Sequence, residues 1–297
     1  MNGQPPVQPG PPPPSYPVPW VYKGQAWIFL LSLSDQFGRL ISHVADHDAA
    51  KGQLNGGPGT LSLYHYTESP IGAYDELSFS PGWYQYMTHA QPQISSTAKR
   101  ITKSFVSCAD REISILRRNW GLPAERAVFN WTIIGPNEFN VAITLPNGVR
   151  VIEMTIQPRQ FFKFKLNTVS WTSEAFDLAR LVPIVQPVLD GYQPQLPPQA
   201  GPHPHSPQPT MLKSYSSIKG ETTLVRLKKA VSNTQVFPPI EELHVFKWGL
   251  AVSPMEMTIR EAEVVLDTNA PPLIKSRWYI AFSNFIKSIA FEKLGSQ

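Results

Sequence analysis

Residues 127–156 read AVFNWTIIGPNEFNVAITLPNGVRVIEMTI. Apolar and polar side chains alternate through 127–134, 139–145 and 149–156. This is the period of strands that bury one face and wet the other. Between the last two runs, Pro146-Asn147-Gly148 is a hairpin signal, because Asn and Gly tolerate the positive φ that tight turns demand. The stretch predicts consecutive antiparallel strands.

The same period recurs on both sides. Trp27-Ile28-Phe29-Leu30-Leu31 begins an apolar strand, and 61–64, 100–106, 161–166, 222–227, 243–252 and 262–266 continue the pattern. Many antiparallel strands with few helices predict a mainly-β barrel or sandwich. Two helices are expected. Ser107-Cys108-Ala109-Asp110 resembles a capping box with Ser107 as N-cap, opening a short helix at about 108–120 with Ile113, Leu116 and Trp120 on one face. A C-terminal helix over about 276–294 places Trp278, Phe282, Phe285, Ile286 and Ile289 at helical spacing, a stripe for docking on the barrel or on a second subunit.

The chain has 31 prolines among 297 residues, and most of them gather in two places. Residues 1–18 form a Pro-rich arm with few apolar anchors, expected to be disordered. Residues 183–210 read as a Pro-rich loop inserted into a single domain spanning 19–297.

Hydrophobic residues make up 42% of the chain and charged residues 16%, enough apolar matter for a packed core. The net charge of +4 is spread along the sequence. Arg117-Arg118 and Lys228-Lys229 are isolated pairs, so no basic face for nucleic acid is expected. Cys108 is the sole cysteine, which excludes intramolecular disulfides and multi-thiolate zinc sites. It reads as a buried, inert thiol. His43 and His47 stand four apart beside Asp46 and Asp48 but lack a clear third ligand, and His203 and His205 have no acidic partner. No metal and no cofactor is therefore expected. With no membrane-spanning apolar run and no leader pattern, the expected compartment is the cytoplasm.

Two further segments carry a resemblance. Ser69-Pro70-Ile71-Gly72-Ala73-Tyr74-Asp75-Glu76-Leu77 is similar to the Gly-x-Tyr-x-Glu strand of the acetoacetate decarboxylase-like superfamily. Arg117-Arg118-Asn119-Trp120-Gly121-Leu122-Pro123-Ala124-Glu125-Arg126 resembles that family's Gly-Arg-x-x-x-Gly-x-Pro-Lys-Lys step, with Arg117 where Gly is usual and one residue fewer before Gly121. The surrounding sequence looks closest to a fungal branch. The resemblance covers about 20–182 and implies a cone-like antiparallel β-barrel with an internal cavity. It also implies association into a homo-oligomer.

In the family, the first lysine of the Pro-Lys-Lys step attacks a ketone and forms a Schiff base. Such an amine must be neutral, held well below the usual lysine pKa by burial and a neighbouring cation. Here the two positions are Ala124 and Glu125. Alanine has no nucleophile, and glutamate brings the charge that would keep a nearby amine protonated. Lys103, Lys163 and Lys165 are the alternatives for a relocated amine. Glu76 then stands as the candidate catalytic group, a buried carboxyl that moves a proton or, in the structural alternative, pairs with Arg118. Tyr74 shares its strand face. Tyr74, Arg118, Trp120, Ala124 and Glu125 are the expected ligand-binding positions. The expected function is a divergent, non-Schiff-base member that binds a small carbonyl or carboxylate compound, with secondary metabolism suggested by the fungal resemblance. The alternatives are a non-catalytic ligand-binding or interaction protein, and a decarboxylase with its lysine elsewhere.

Overall fold

The computed structural model describes residues 16–33, 53–54, 57–86, 96–167, 184–187, 211–214, 216–240 and 244–265. Those residues form sixteen strands and one helix. Ten strands build one sheet that curls into a half-barrel, in the order β8-β7-β4-β3-β1-β15-β14-β11-β10-β9. Its members are β1 (Trp20–Leu33), β3 (Gly57–Glu68), β4 (Tyr74–Ser80), β7 (Lys103–Val106), β8 (Ala124–Arg126), β9 (Val128–Gly135), β10 (Glu138–Thr144), β11 (Arg150–Asn167), β14 (Ser216–Ser232) and β15 (His244–Ile259). A second sheet of six contains β2 (Gln53–Leu54), β5 (Trp83–Tyr86), β6 (Ser96–Lys99), β12 (Ile184–Pro187), β13 (Met211–Ser214) and β16 (Glu263–Val265). All pairings in the large sheet are antiparallel except β7 with β8.

The curled sheet buries apolar side chains on both faces. One face packs Trp27, Phe29, Leu63, Leu77, Phe79, Phe105, Val141 and Ile152 into the main core. Phe237 closes it with ring centroids 5.4 Å from Phe79 and 6.1 Å from Phe105. The other face carries Trp20, Tyr22, Tyr66, Tyr74, Val106, Ala124, Met255 and Met257, and α1 (Asp110–Trp120) packs there through Ile113, Ile115, Leu116 and Trp120. That face positions the site.

β15 carries one extra residue relative to both neighbours. Gly24 and Ala26 of β1 face Met255 and Val252, and Gly220 and Thr222 of β14 face the same pair. The single residue between each neighbour's pair thus opposes two on β15, a β-bulge at Ser253-Pro254. Side-chain parity reverses across it. Val252, Met255 and Met257 all join the cluster that contains the α1 side chains, which strict alternation would forbid. Backbones approach closely here: a Cβ on Gly24 would lie 2.0 Å from the His65 carbonyl oxygen.

Several expectations are corrected. The strand foreseen over 100–106 is broken. Residues 96–99 join the small sheet and 103–106 the large one, with Thr102 N–H donating to Phe79 O in between. The expected strands at 149–156 and 161–166 are one long β11 with an irregularity between Pro158 and Lys163. Ser107 does not cap α1. Ala109 occupies the N-cap without a side-chain bond, and Ser107 Oγ instead accepts the Asp75 N–H at 2.7 Å. The hydroxyl is committed to joining β4 to the start of the helix. Within the segment read as a loop over 183–210, Ile184–Pro187 forms β12, paired with β13 and β6. The rest of that segment, the Pro-rich arm through Ser15, His43, His47 and the expected C-terminal helix lie outside the described residues. Among the described residues, no helix is long and apolar enough to cross a membrane.

Candidate functional site

Tyr64 and Tyr66 project from one face of β3, and Tyr74, Glu76 and Ser78 from the same face of β4, because alternate residues share a face. Register brings them together: Tyr64 faces Glu76 and Tyr66 faces Tyr74 across the ladder. Tyr22 of β1 stands next, its ring centroid 4.8 Å from that of Tyr66, and Tyr66 lies 4.8 Å from Tyr74. These side chains line a cavity of about 80 Å³. Met257 and Ile259 of β15, Trp120 of α1, Leu122, Ile101, and Ile184, Ser214 and Ser216 complete the described wall. At roughly 10–15 Å³ per water-sized site, the volume suits a molecule of about five to eight non-hydrogen atoms.

Glu76 is only 5% exposed. Burial pushes its carboxyl up to about 7, against the opposing pull of the Ser104 hydroxyl, which donates to Oε1 at 3.3 Å. Burial is the larger cause because desolvation penalises a charge that one neutral hydroxyl cannot replace. Its neighbour Asp75 has the opposite setting. Asp75 Oδ1 lies 2.6 Å from His65 Nδ1, and Oδ2 accepts the Trp131 indole N–H at 3.3 Å. One residue along β4 separates a partnered carboxyl on the far face from a sparsely bonded one in the cavity.

The tyrosines stay protonated. Burial holds Tyr22, Tyr66 and Tyr74 well above the usual phenol range, with Glu76 adding to each, and pushes Tyr64 up to about 12. Tyr22 and Tyr74 hydrogen-bond each other through their hydroxyls. Trp120 is 4% exposed, and its Nε1–H has no partner among the described residues. A buried, unpaired donor is costly, and this one belongs to a residue that lines the cavity. Cys108 is raised to about 12 by burial first, then by Glu112 and Glu76. Its thiol remains protonated and unreactive at neutral pH.

Of the sequence-derived candidates, the fold brings Tyr74, Glu76 and Trp120 onto the cavity wall. Ala124 is fully buried in the same apolar cluster but stands behind that wall. Arg117 is tied to it, donating through Nε to the Ala124 carbonyl at 2.8 Å. Glu125 and Arg118, expected as ligand contacts, lie off this wall. Glu125 alternates with the buried Ala124 on β8 and is therefore exposed. Arg118, half-buried, donates through Nε to Asn119 Oδ1 at 3.2 Å and does not line the cavity. Lys103 starts β7 opposite Phe79 and is likewise absent from the wall.

No motif or spacing in the sequence singles out Tyr22, Tyr64, Tyr66 or Lys99. Of the three tyrosines only Tyr64 falls in an expected strand, and period two says that a side chain shares a face but not which face holds a hollow. Lys99 ends β6, with Ile184 as its cross-strand partner and Ile101 two residues on, both on the cavity wall. Burial lowers its amine to about 8. Among the described residues, no cluster of three or more His, Cys, Asp or Glu is arranged to hold a metal ion.

No family model matches this sequence, and no curated protein matches it. Solved structures do. Acetoacetate decarboxylase from Legionella pneumophila superposes with a TM-score of 0.51 at 13% identity, over 88% of this chain and 94% of that one. An acetoacetate decarboxylase-like enzyme from Sphingomonas wittichii gives a TM-score of 0.51 at 8% identity, over 84% and 94%. The chain has the acetoacetate decarboxylase-like fold.

Proposed function

We propose that this chain binds a small carbonyl compound in the tyrosine-lined cavity and moves a proton there through Glu76, without a Schiff base. The observation that carries the reading is Glu76 itself, a carboxyl on the cavity wall brought to about 7 by burial. A group that titrates near neutrality both donates and accepts protons at working pH. The unpaired Trp120 indole N–H offers a hydrogen bond to a ligand oxygen, and Ser78, Ser214 and Ser216 add hydroxyls. Of the two ligand classes that the resemblance implies, an uncharged carbonyl suits this wall better than a carboxylate. The described lining holds no lysine, arginine or histidine to meet an anion. Proton transfer next to a carbonyl, cyclisation or hydration are the reactions such a site serves. A place in secondary metabolism rests on the fungal resemblance. Native mass spectrometry of protein from its own cell tests the binding. A retained molecule of about five to eight non-hydrogen atoms is expected. Glu76→Gln should lower its turnover, and Trp120→Phe, which keeps an aromatic ring and removes the donor, should weaken binding about five- to tenfold. Unchanged behaviour in Glu76→Gln would leave a pure ligand-binding protein.

A second reading has one observation in its favour. Lys99, with its lowered amine, ends a strand that borders the cavity through Ile184. A neutral amine reaching a bound ketone would restore Schiff-base chemistry from a different strand. Borohydride trapping with acetoacetate separates the two. The first reading expects no covalent adduct, whereas a reduced adduct mapped to Lys99 would make the second the correct one.

A further inference from the structure

The polarity of the cavity wall bears on the charge of its ligand, taking that cavity as the binding site proposed above. Four tyrosines and Trp120 surround one carboxyl, and the described lining carries no cationic side chain. The phenols keep their protons. The described wall is therefore neutral when Glu76 is protonated and negative when it ionises. Among the described wall residues, an anion would meet ionised Glu76 with no cationic side chain opposing it. A cation would meet both the carboxylate and the electron-rich faces of the rings, which attract positive charge within about 6 Å of their centroids.

We infer that the cavity is an aromatic cage for a small organic cation, an alkylammonium compound whose charge lies between Glu76 and the tyrosine rings and whose oxygen accepts from Trp120 Nε1. The volume bounds the size and the unpaired indole donor calls for the oxygen. The proposal deepens the carbonyl reading, since one compact molecule can carry both an acceptor oxygen and an ammonium group.

Binding is then coupled to ionisation. The titratable groups facing Glu76 are Tyr22, Tyr64, Tyr66, Tyr74 and the Cys108 thiol, which all feel its charge and all stay protonated through pH 8. Lys99, bordering the cavity through Ile184, is shifted by burial alone. From pH 6 to pH 8, ionised Glu76 rises from about one tenth to about nine tenths, so cation affinity should rise about tenfold.

Calorimetry on the full chain tests this with choline, its uncharged isostere 3,3-dimethylbutan-1-ol, and pyruvate. Choline should bind at least about tenfold tighter than the isostere at pH 8, lose about tenfold at pH 6, and in Glu76→Gln lose the pH dependence and keep only the smaller preference that the rings supply. Trp120→Phe should weaken choline and the isostere alike. Choline no tighter than the isostere, or pyruvate tighter than choline at pH 8, would overturn the cation inference while leaving the cavity as a binding site. Failure of all three probes to bind would overturn the cavity reading itself.

Discussion

Glu76→Gln should make the protein more stable at pH 8 and leave it unchanged at pH 4. The folded state raises this carboxyl from 4.5 to about 7 by burial. It thereby favours the protonated form. The contribution of Glu76 is fully present below about pH 4.5 and is lost as pH rises toward 7. A difference of this size amounts to about 3 kcal/mol at pH 8, where the native chain must bury an ionised carboxylate with the Ser104 hydroxyl as its hydrogen-bond donor. Gln keeps the shape and never ionises. Urea unfolding of both proteins at pH 4, 6 and 8 should therefore show coincident midpoints at the lowest pH and a gap that opens upward. Parallel profiles at all three values would mean that Glu76 is solvated or paired with a cation. Because a buried carboxylate is costly, the chain would be steadier without it, which supports the functional role proposed for Glu76.

Gly24→Ala should cost about 3 kcal/mol, seen as a fall of about 10 °C in the melting midpoint. The added methyl would lie 2.0 Å from the His65 carbonyl oxygen and 3.0 Å from the Tyr66 Cα. Both obstacles are backbone, so relief requires parting β1 from β3 where Tyr22 and Tyr66 meet. Gly72→Ala is the control. Gly72 has φ +97, but a methyl added there would meet nothing within 4 Å. Only backbone strain applies at that position, about 1 kcal/mol. Equal losses in the two variants would show that conformation, and not the close approach of the strands, sets the need for glycine at position 24. Damage at Gly24 should also reach the ligand, since β1 carries Tyr22 onto the cavity wall.

Much of the local structure follows from local chemistry. Strands β9, β10 and β11 were legible because each alternates and Asn147-Gly148 supplies the turn, with Gly148 at φ +85. The body of α1 was legible from Ile113, Leu116 and Trp120 at helical spacing, and Gly121 ends it in the left-handed conformation at φ 62. The motif resemblance singles out Tyr74, Glu76 and Trp120, which the fold brings onto the cavity wall, whereas Tyr22, Tyr64 and Tyr66 sit in no such motif. Where neighbours in sequence serve different sheets, as at residues 100–102, alternation misled by fusing two strands into one.

By itself the sequence determined a mainly-β chain, its hairpins, its one described helix, and a glutamate two residues from Tyr74 on an expected strand face. Only the tertiary structure decided that β1 lies between β3 and β15, and that one extra residue in β15 turns Met257 and Ile259 onto the wall beside Glu76. The physical reason is that alternation is a short-range property of a single strand. Which face becomes a cavity depends on pairing between segments some two hundred positions apart, and the water excluded by that pairing is what raises the carboxyl.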